Sequence, residues 1–76
     1  MSDFSLRQGQ RYRATLSLGL FEQFATNEMI AERLRAAGFA DVRVDGEGKI
    51  RHAEGVWQQS DMIAELPQQI KSVSEA

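Results

Sequence analysis

Residues 11–18 alternate strictly between polar and apolar side chains, and this pattern constrains the fold more than any other in the sequence. The polar positions are Arg11, Arg13, Thr15 and Ser17, and the apolar positions are Tyr12, Ala14, Leu16 and Leu18. Because successive side chains of a β-strand point to opposite faces, a period of two predicts a strand with one buried and one solvent-facing side. Such a strand needs partner strands and an element that covers its apolar face.

An amphipathic helix is predicted after this strand. Asn27 is a suitable N-cap, because its side-chain oxygen can accept a hydrogen bond from a free amide of the first turn. Ile30, Leu34 and Ala37 follow at helical spacing and form one apolar stripe. Gly38 is expected to end the helix, since glycine adopts the left-handed conformation of a helix C-terminus without steric cost.

A β-hairpin is predicted next. Valines alternate with polar residues at 42–45, and the Asp-Gly-Glu-Gly sequence at 45–48 supplies residues suited to a tight reversal. The return strand is expected to run from Lys49 to about Trp57. Its register is ambiguous, because apolar residues fall on both parities, and a bulge near Gly55 would reconcile the two ends.

A second, short helix is predicted to begin at Ser60 and Asp61, which suit a helix N-terminus. Pro67 then interrupts the apolar pattern. The residue before a proline avoids helical angles, so this helix should stop at Leu66. The pattern leaves helix, strand and loose chain open for residues 67–76.

The element order β-α-β-β-α predicts an α+β fold. With 76 residues, the chain has room for one domain. The closed form of this order is a small ferredoxin-like sandwich, in which an antiparallel three-stranded sheet carries its helices on one face and has room for a fourth edge strand. Residues 10–73 are assigned to this domain, residues 1–9 to a flexible N-terminal arm, and residues 74–76 to a frayed tail.

The composition argues against catalysis and against metal or cofactor binding. The chain has no cysteine and one histidine, so it lacks thiolates and the imidazole pairs that most transition-metal sites use. The one enzymatic arrangement available joins His52 and Glu54 to Ser17 or Ser60, and neither serine lies in a glycine-flanked elbow. We therefore expect a protein that binds without chemistry, with no metal and no cofactor.

Targeting signals and membrane spans are not evident in the sequence. The first twenty residues carry three arginines and no continuous apolar core, unlike a secretory signal. No apolar run approaches the roughly 18–20 residues that span a bilayer. We therefore expect a cytoplasmic protein without membrane insertion. The formal net charge of −2 argues against general binding to nucleic-acid phosphates.

Two segments of the chain are similar to each other and, together, to a known family. Residues 19–34 (GLFEQFATNEMIAERL) and 55–66 (GVWQQSDMIAEL) each pass from a glycine and an aromatic residue into Met-Ile-Ala-Glu. With the helix end at 32–39 (ERLRAAGF), they resemble the sporulation-related repeat (SPOR) domain. The other residues that carry the resemblance are Leu18, Gly19, Phe21, Gly55 and Trp57. The resemblance implies a two-fold repeated β-α-β module that binds peptidoglycan glycan strands lacking stem peptides.

The solvent-facing side of the predicted sheet carries the candidate binding residues. The candidates are Arg11, Arg13, Arg43, Arg51, Tyr12 and Trp57. The planar donor forks of the arginines suit carboxylate, phosphate or sugar groups, and the two aromatic rings suit stacking or anchoring. The alternative is that the arginines are ordinary solvated residues paired with acids on neighbouring strands, and that Trp57 belongs to the core.

These residues predict a small non-enzymatic binding module. The leading prediction is a protein-interaction or assembly accessory protein, of the kind encoded with phage or bacterial machinery. It would use its sheet face to bind another protein or a second copy of itself. The alternatives are a SPOR-like glycan binder and a nucleic-acid binder that uses the arginine-bearing face.

Overall fold

The computed structural model describes residues 3–20, 22–67 and 69–76. In chain order its elements are β1 Asp3–Leu6, β2 Arg11–Ser17, a 3₁₀ turn Glu22–Phe24, α1 Asn27–Ala37, β3 Phe39–Glu47, β4 Ile50–Trp57, β5 Met62–Glu65 and β6 Ile70–Glu75. Phe21, which carries part of the SPOR resemblance, lies outside the described residues. In the described ranges, no helix has the length and apolar character needed to cross a bilayer.

The larger sheet is antiparallel and has the strand order β3-β4-β2-β6. β2 lies inside the sheet and pairs with β4 on one side and with β6 on the other. The hairpin that joins β3 to β4 turns at Gly48, whose φ of 66° lies in the left-handed region that favours glycine. The predicted strand that begins at Arg11 and the predicted hairpin are confirmed.

The predicted ferredoxin-like sandwich is wrong, because its second helix is not formed. Strands account for 53% and helices for 19% of the described chain, and six strands form two sheets beside one α-helix. The segment from Ser60 to Leu66 contains β5 where a helix is predicted. Pro67 limits a helix here to little more than one turn, and so short a helix does not offset the cost of its nucleation. As a strand, the segment gains a partner in β1.

The structure places Asp3–Leu6, part of the predicted N-terminal arm, in a strand. β1 pairs antiparallel with β5, so that Phe4 lies opposite Ala64 and Leu6 lies opposite Met62. These four side chains face the larger sheet and line a common hollow with it. The two short strands therefore form a roof over one face of the larger sheet, and we call that face the inner face.

The C-terminal segment also forms a strand. β6 runs antiparallel to β2, with Val73 opposite Ala14. Within the predicted frayed tail at 74–76, the backbone amide of Ala76 donates a hydrogen bond to the carbonyl oxygen of Arg11 at 2.9 Å. The segment that the sequence leaves open thus provides an edge strand of the larger sheet.

The N-terminus of α1 differs from the prediction by one residue. Thr26 is the N-cap, and its hydroxyl accepts a hydrogen bond from the backbone amide of Met29 at 3.1 Å. The side chain of Asn27, the predicted cap, donates to the carbonyl oxygen of Gly46 at 3.1 Å and accepts from Arg51 at 2.8 Å. Asn27 therefore joins the helix to the β3–β4 hairpin.

Gly38 ends α1 as predicted. Its φ is 124°, and its backbone amide donates to the carbonyl oxygen of Arg35 at 3.1 Å. A Cβ atom at this position would lie 2.7 Å from the Gln59 side chain and 3.0 Å from the Trp57 ring. Glycine is thus required both by the backbone angle and by the close approach of the chain that follows β4.

The core lies between the inner face and the elements that cover it. α1 packs mainly against β3, and the β1–β5 roof covers the neighbouring part of the sheet. Phe4 meets Tyr12 edge to face at a centroid distance of 5.3 Å, and Phe39 meets Trp57 in the same way at 5.0 Å. The opposite side of the larger sheet, which we call the outer face, is covered by neither α1 nor the roof.

The loop between β2 and α1 is tied to the start of β6 by Glu22. Its carboxylate accepts hydrogen bonds from the backbone amide of Gly19 at 2.8 Å and from the side-chain amide of Gln69 at 2.9 Å. Both bonds favour the ionised carboxylate, so they lower the pKa of Glu22, and the bond from Gly19 contributes most.

Candidate functional site

The outer face is an open polar surface with a shallow depression of about 640 Å³. The side chains around it are Arg13, Thr15, Arg43, Asp45, His52, Glu54, Ser72 and Ser74. They come from all four strands of the larger sheet, because residues that pair across an antiparallel sheet share a face. The sheet register therefore decides which residues can act together here.

One row of this face places a carboxylate between two arginines. Glu54 of β4 lies opposite Arg13 of β2 on one side and opposite Arg43 of β3 on the other. Neighbouring strands are about 4.8 Å apart, so the two arginine backbones are separated by roughly 10 Å. Both arginines are exposed, and among the described residues neither forms an ion pair. The row thus keeps two cationic side chains accessible to a partner.

Arg11, one row away, is already occupied. Its guanidinium forms an ion pair with Asp41, and a second nitrogen lies 3.8 Å from the Glu54 carboxylate. Asp41 lies in an irregularity of β3 between Ala40 and Arg43, with a φ of 49°. This bulge brings the Asp41 carboxylate to Arg11, so Arg11 offers less free charge than the other two arginines of the outer face.

The next row contains groups that can both donate and accept hydrogen bonds. Thr15 lies opposite His52, and the Thr15 hydroxyl is 3.5 Å from His52 Nδ1. Asp45 lies opposite His52 on the other side, yet in the part of the chain that the structure describes no hydrogen bond or ion pair joins them. Among the described residues, Thr15 is thus the one side chain within hydrogen-bond distance of the His52 ring.

Arg51 does not lie with the other arginines. It is opposite Leu16 and Gly46 on the inner face, where it is only 5% exposed. Its guanidinium donates three hydrogen bonds, to the carbonyl oxygen of Gly48 at 3.0 Å, to Asn27 Oδ1 at 2.8 Å and to the carbonyl oxygen of Gln23 at 2.8 Å. The expected place of Arg51 on the solvent-facing side is corrected: it joins the hairpin to the N-terminus of α1.

Tyr12 and Trp57 also lie on the inner face, where they are 3% and 4% exposed. The Tyr12 hydroxyl accepts a hydrogen bond from the backbone amide of Arg7 at 2.8 Å. The Trp57 indole nitrogen donates to the carbonyl oxygen of Ser60 at 2.9 Å. Both rings are core residues, which for Trp57 agrees with the alternative that places it in the core. Neither ring provides a stacking platform beside Arg13.

Two residues of the outer face, Ser72 and Ser74, are not among the candidates that the sequence indicates. They lie opposite Thr15 and Arg13 in the pairing of β2 with β6. Their alternation with Val73 is a strand signal, but it spans only a few residues after a proline and is compatible with helix and coil as well.

The described residues contain no cluster of three or more His, Asp or Glu side chains that could hold a metal ion. Comparison of the chain with protein-family models, with curated proteins and with solved structures finds no match. The SPOR resemblance therefore stays a prediction.

Proposed function

We propose that this protein is a non-enzymatic binding module that recognises a partner protein through the outer face of its larger sheet. The observation that supports this proposal is the row in which Glu54 lies between the exposed arginines Arg13 and Arg43. A partner that presents carboxylates at strand spacing on either side of a hydrogen-bond donor would complement this row.

Mixed charge favours a protein partner over a nucleic acid. Glu54 and Asp45 stand among the cationic groups and would repel a phosphate backbone, and the whole chain carries a net charge of −2. Sugars and unstacked bases are commonly bound on aromatic rings. In the described portion of the outer face the depression is lined by no Phe, Tyr or Trp side chain.

The size of the outer face indicates a weak or transient complex. Four strands at about 4.8 Å spacing and seven residues at about 3.4 Å rise give a surface of roughly 20 by 24 Å. This flat area is well below the roughly 800 Å² that each partner contributes to a stable interface of standard size. We therefore expect a weak or transient complex whose association rate falls as the ionic strength rises.

The proposal is tested by charge reversal on the outer face. Immobilised wild-type protein is compared with the double variant Arg13→Glu/Arg43→Glu in capturing partners from the source cell. The matched control is Arg33→Glu/Lys49→Glu, which changes the net charge equally at two exposed positions outside the depression. A protein held by the wild type and by the control, and released from the outer-face variant, is the expected result.

Three results would contradict the proposal. The first is a partner that binds the outer-face variant as well as it binds the wild type. The second is retention on denuded peptidoglycan sacculi, which would favour the SPOR-like alternative. The third is binding of single-stranded RNA that weakens steeply with salt, which would favour nucleic-acid recognition.

A further inference from the structure

The inner face contains an apolar cavity of about 360 Å³. Its walls are provided by β2, α1, β3, β4, the roof and β6 through Leu16, Leu34, Phe39, Ala53, Met62 and Val73. The atoms that line it are almost entirely apolar. Met62 lines the cavity and is nevertheless 47% exposed, so the cavity reaches solvent beside the roof.

Two small side chains explain why the cavity exists. Ala14 and Ala53 lie directly opposite each other on the inner faces of β2 and β4, in the middle of the sheet. α1 packs toward β3, and the roof is held by Phe4 against Tyr12, so neither element fills the space above the two alanines. Protein interiors are close-packed and rarely retain voids much larger than a water molecule. A space of this size is therefore typical of a ligand pocket.

We propose that this cavity binds a small, neutral, apolar molecule. The hydroxyl of Tyr12 is already hydrogen-bonded to the backbone of Arg7, so the lining offers little to a charged or strongly polar group. A cavity of about 150 Å³ holds one benzene ring, and by the same proportion this one accommodates roughly 14 non-hydrogen atoms. An alkyl chain of ten to twelve carbons or a two-ring aromatic molecule fits that size.

The shape favours a small molecule over a segment of a partner protein. The space lies between the larger sheet and the β1–β5 roof, with α1 as a third wall, and it is only partly open to solvent. Binding here uses the inner face and is independent of protein recognition by the outer face.

The test uses naphthalene and 1-decanol as probes, with titrations followed by calorimetry and by methyl NMR of the full chain. Ala14→Phe fills the cavity, and Ser17→Phe is the matched control on the other face of the same strand. The wild type is expected to bind each probe at one site, with shifts of the Leu16, Leu34 and Val73 methyl groups. Ala14→Phe should weaken binding at least tenfold, and Ser17→Phe should leave it within twofold.

Ala53→Phe fills the same space from β4 and replaces Ala14→Phe if that variant does not fold. Absence of binding by the wild type up to the solubility limit of both probes overturns the proposal. Equal binding by wild type and both filled variants overturns it as well. A third result would also overturn the proposal: light scattering shows that the wild type is a dimer and that Ala14→Phe is a monomer. A second copy of the chain would then occupy the space.

Discussion

Arg51 offers the sharpest test of how this fold is held together. It is a buried arginine whose hydrogen-bond partners are two backbone carbonyl oxygens and the amide oxygen of Asn27. Among the described residues, no carboxylate lies within ion-pair distance of it. Its three bonds join the β3–β4 hairpin, the 3₁₀ turn and α1, so its removal weakens the connections among three elements at once.

The substitution Arg51→Met keeps the length and the apolar stem of the side chain and removes all three donors. A buried acceptor left without a donor costs about 1–3 kcal/mol, and these acceptors are only partly buried, which favours the lower end. We therefore expect the free energy of unfolding to fall by about 3 kcal/mol. For a domain of this size, that corresponds to a decrease in Tm of roughly 12–24 °C. Arg51→Lys keeps the charge and one donor direction, and should cost about 2 kcal/mol.

The assay is urea denaturation followed by the fluorescence of Trp57, the single tryptophan of the chain. Arg43→Met is the matched control, because it removes an exposed arginine of the outer face that forms no ion pair with any described residue. It should change stability by less than about 0.5 kcal/mol. If Arg51→Met costs no more than Arg43→Met, the guanidinium does not hold the three elements together.

Three further changes test the helix ends and the loop before α1. Thr26→Ala removes the N-cap bond and should lower the free energy of unfolding by about 1 kcal/mol in thermal denaturation, whereas Thr26→Ser should not. Gly38→Ala places a Cβ atom against Gln59 and Trp57 at a positive φ, and should cost about 2 kcal/mol by the same measurement. The pKa of Glu22 is lowered by folding, so its ionised form stabilises the fold above the ordinary glutamate value of 4.5, and this stabilisation is lost as the pH falls through the lowered value. Glu22→Gln should therefore show a smaller loss of stability than the wild type between pH 5 and pH 3, and an equal loss would contradict the assigned hydrogen bonds.

Features set by neighbouring residues are predictable from this sequence. The strand at 11–17 follows from alternation, and the end of α1 follows from Gly38. The hairpin follows from the glycines between 45 and 48. Each of these signals lies within a few residues of the structure that it determines, so no knowledge of the rest of the fold is needed.

The segment at 62–65 could not be predicted in the same way. Its apolar residues suit one turn of helix as well as a short strand, and the choice depends on a pairing with β1, more than fifty residues earlier in the chain. β1 itself is only four residues long and gives no clear alternation. Local patterns describe both states of such a segment, and a long-range contact decides between them.

The candidate site was predicted only in part. Alternation shows which residues of one strand share a face, but it does not show which face of the sheet those residues of a neighbouring strand lie on. Arg13 is assigned correctly to the outer face by the alternation of its own strand. Arg51 is placed wrongly because the register of β4 depends on a turn of two residues at 48 and 49 and on the bulge near Asp41. Neither feature changes the alternation inside β4, so the sequence leaves the facing side of that strand undecided.

The register of β4 is nevertheless strongly determined once the strand is in the sheet. A slip by one residue would move Arg51 to the outer face and would leave its acceptors near α1 without donors. The same slip would turn Glu54 and His52 toward the cavity, whose lining is almost entirely apolar, and a carboxylate there would lose its hydration. Both consequences are unfavourable, so the buried arginine and the exposed charges enforce the same alignment.

That alignment places Glu54 between Arg13 and Arg43 and sets Ala53 opposite Ala14. The polar row on one face and the cavity on the other therefore arise from a single structural choice.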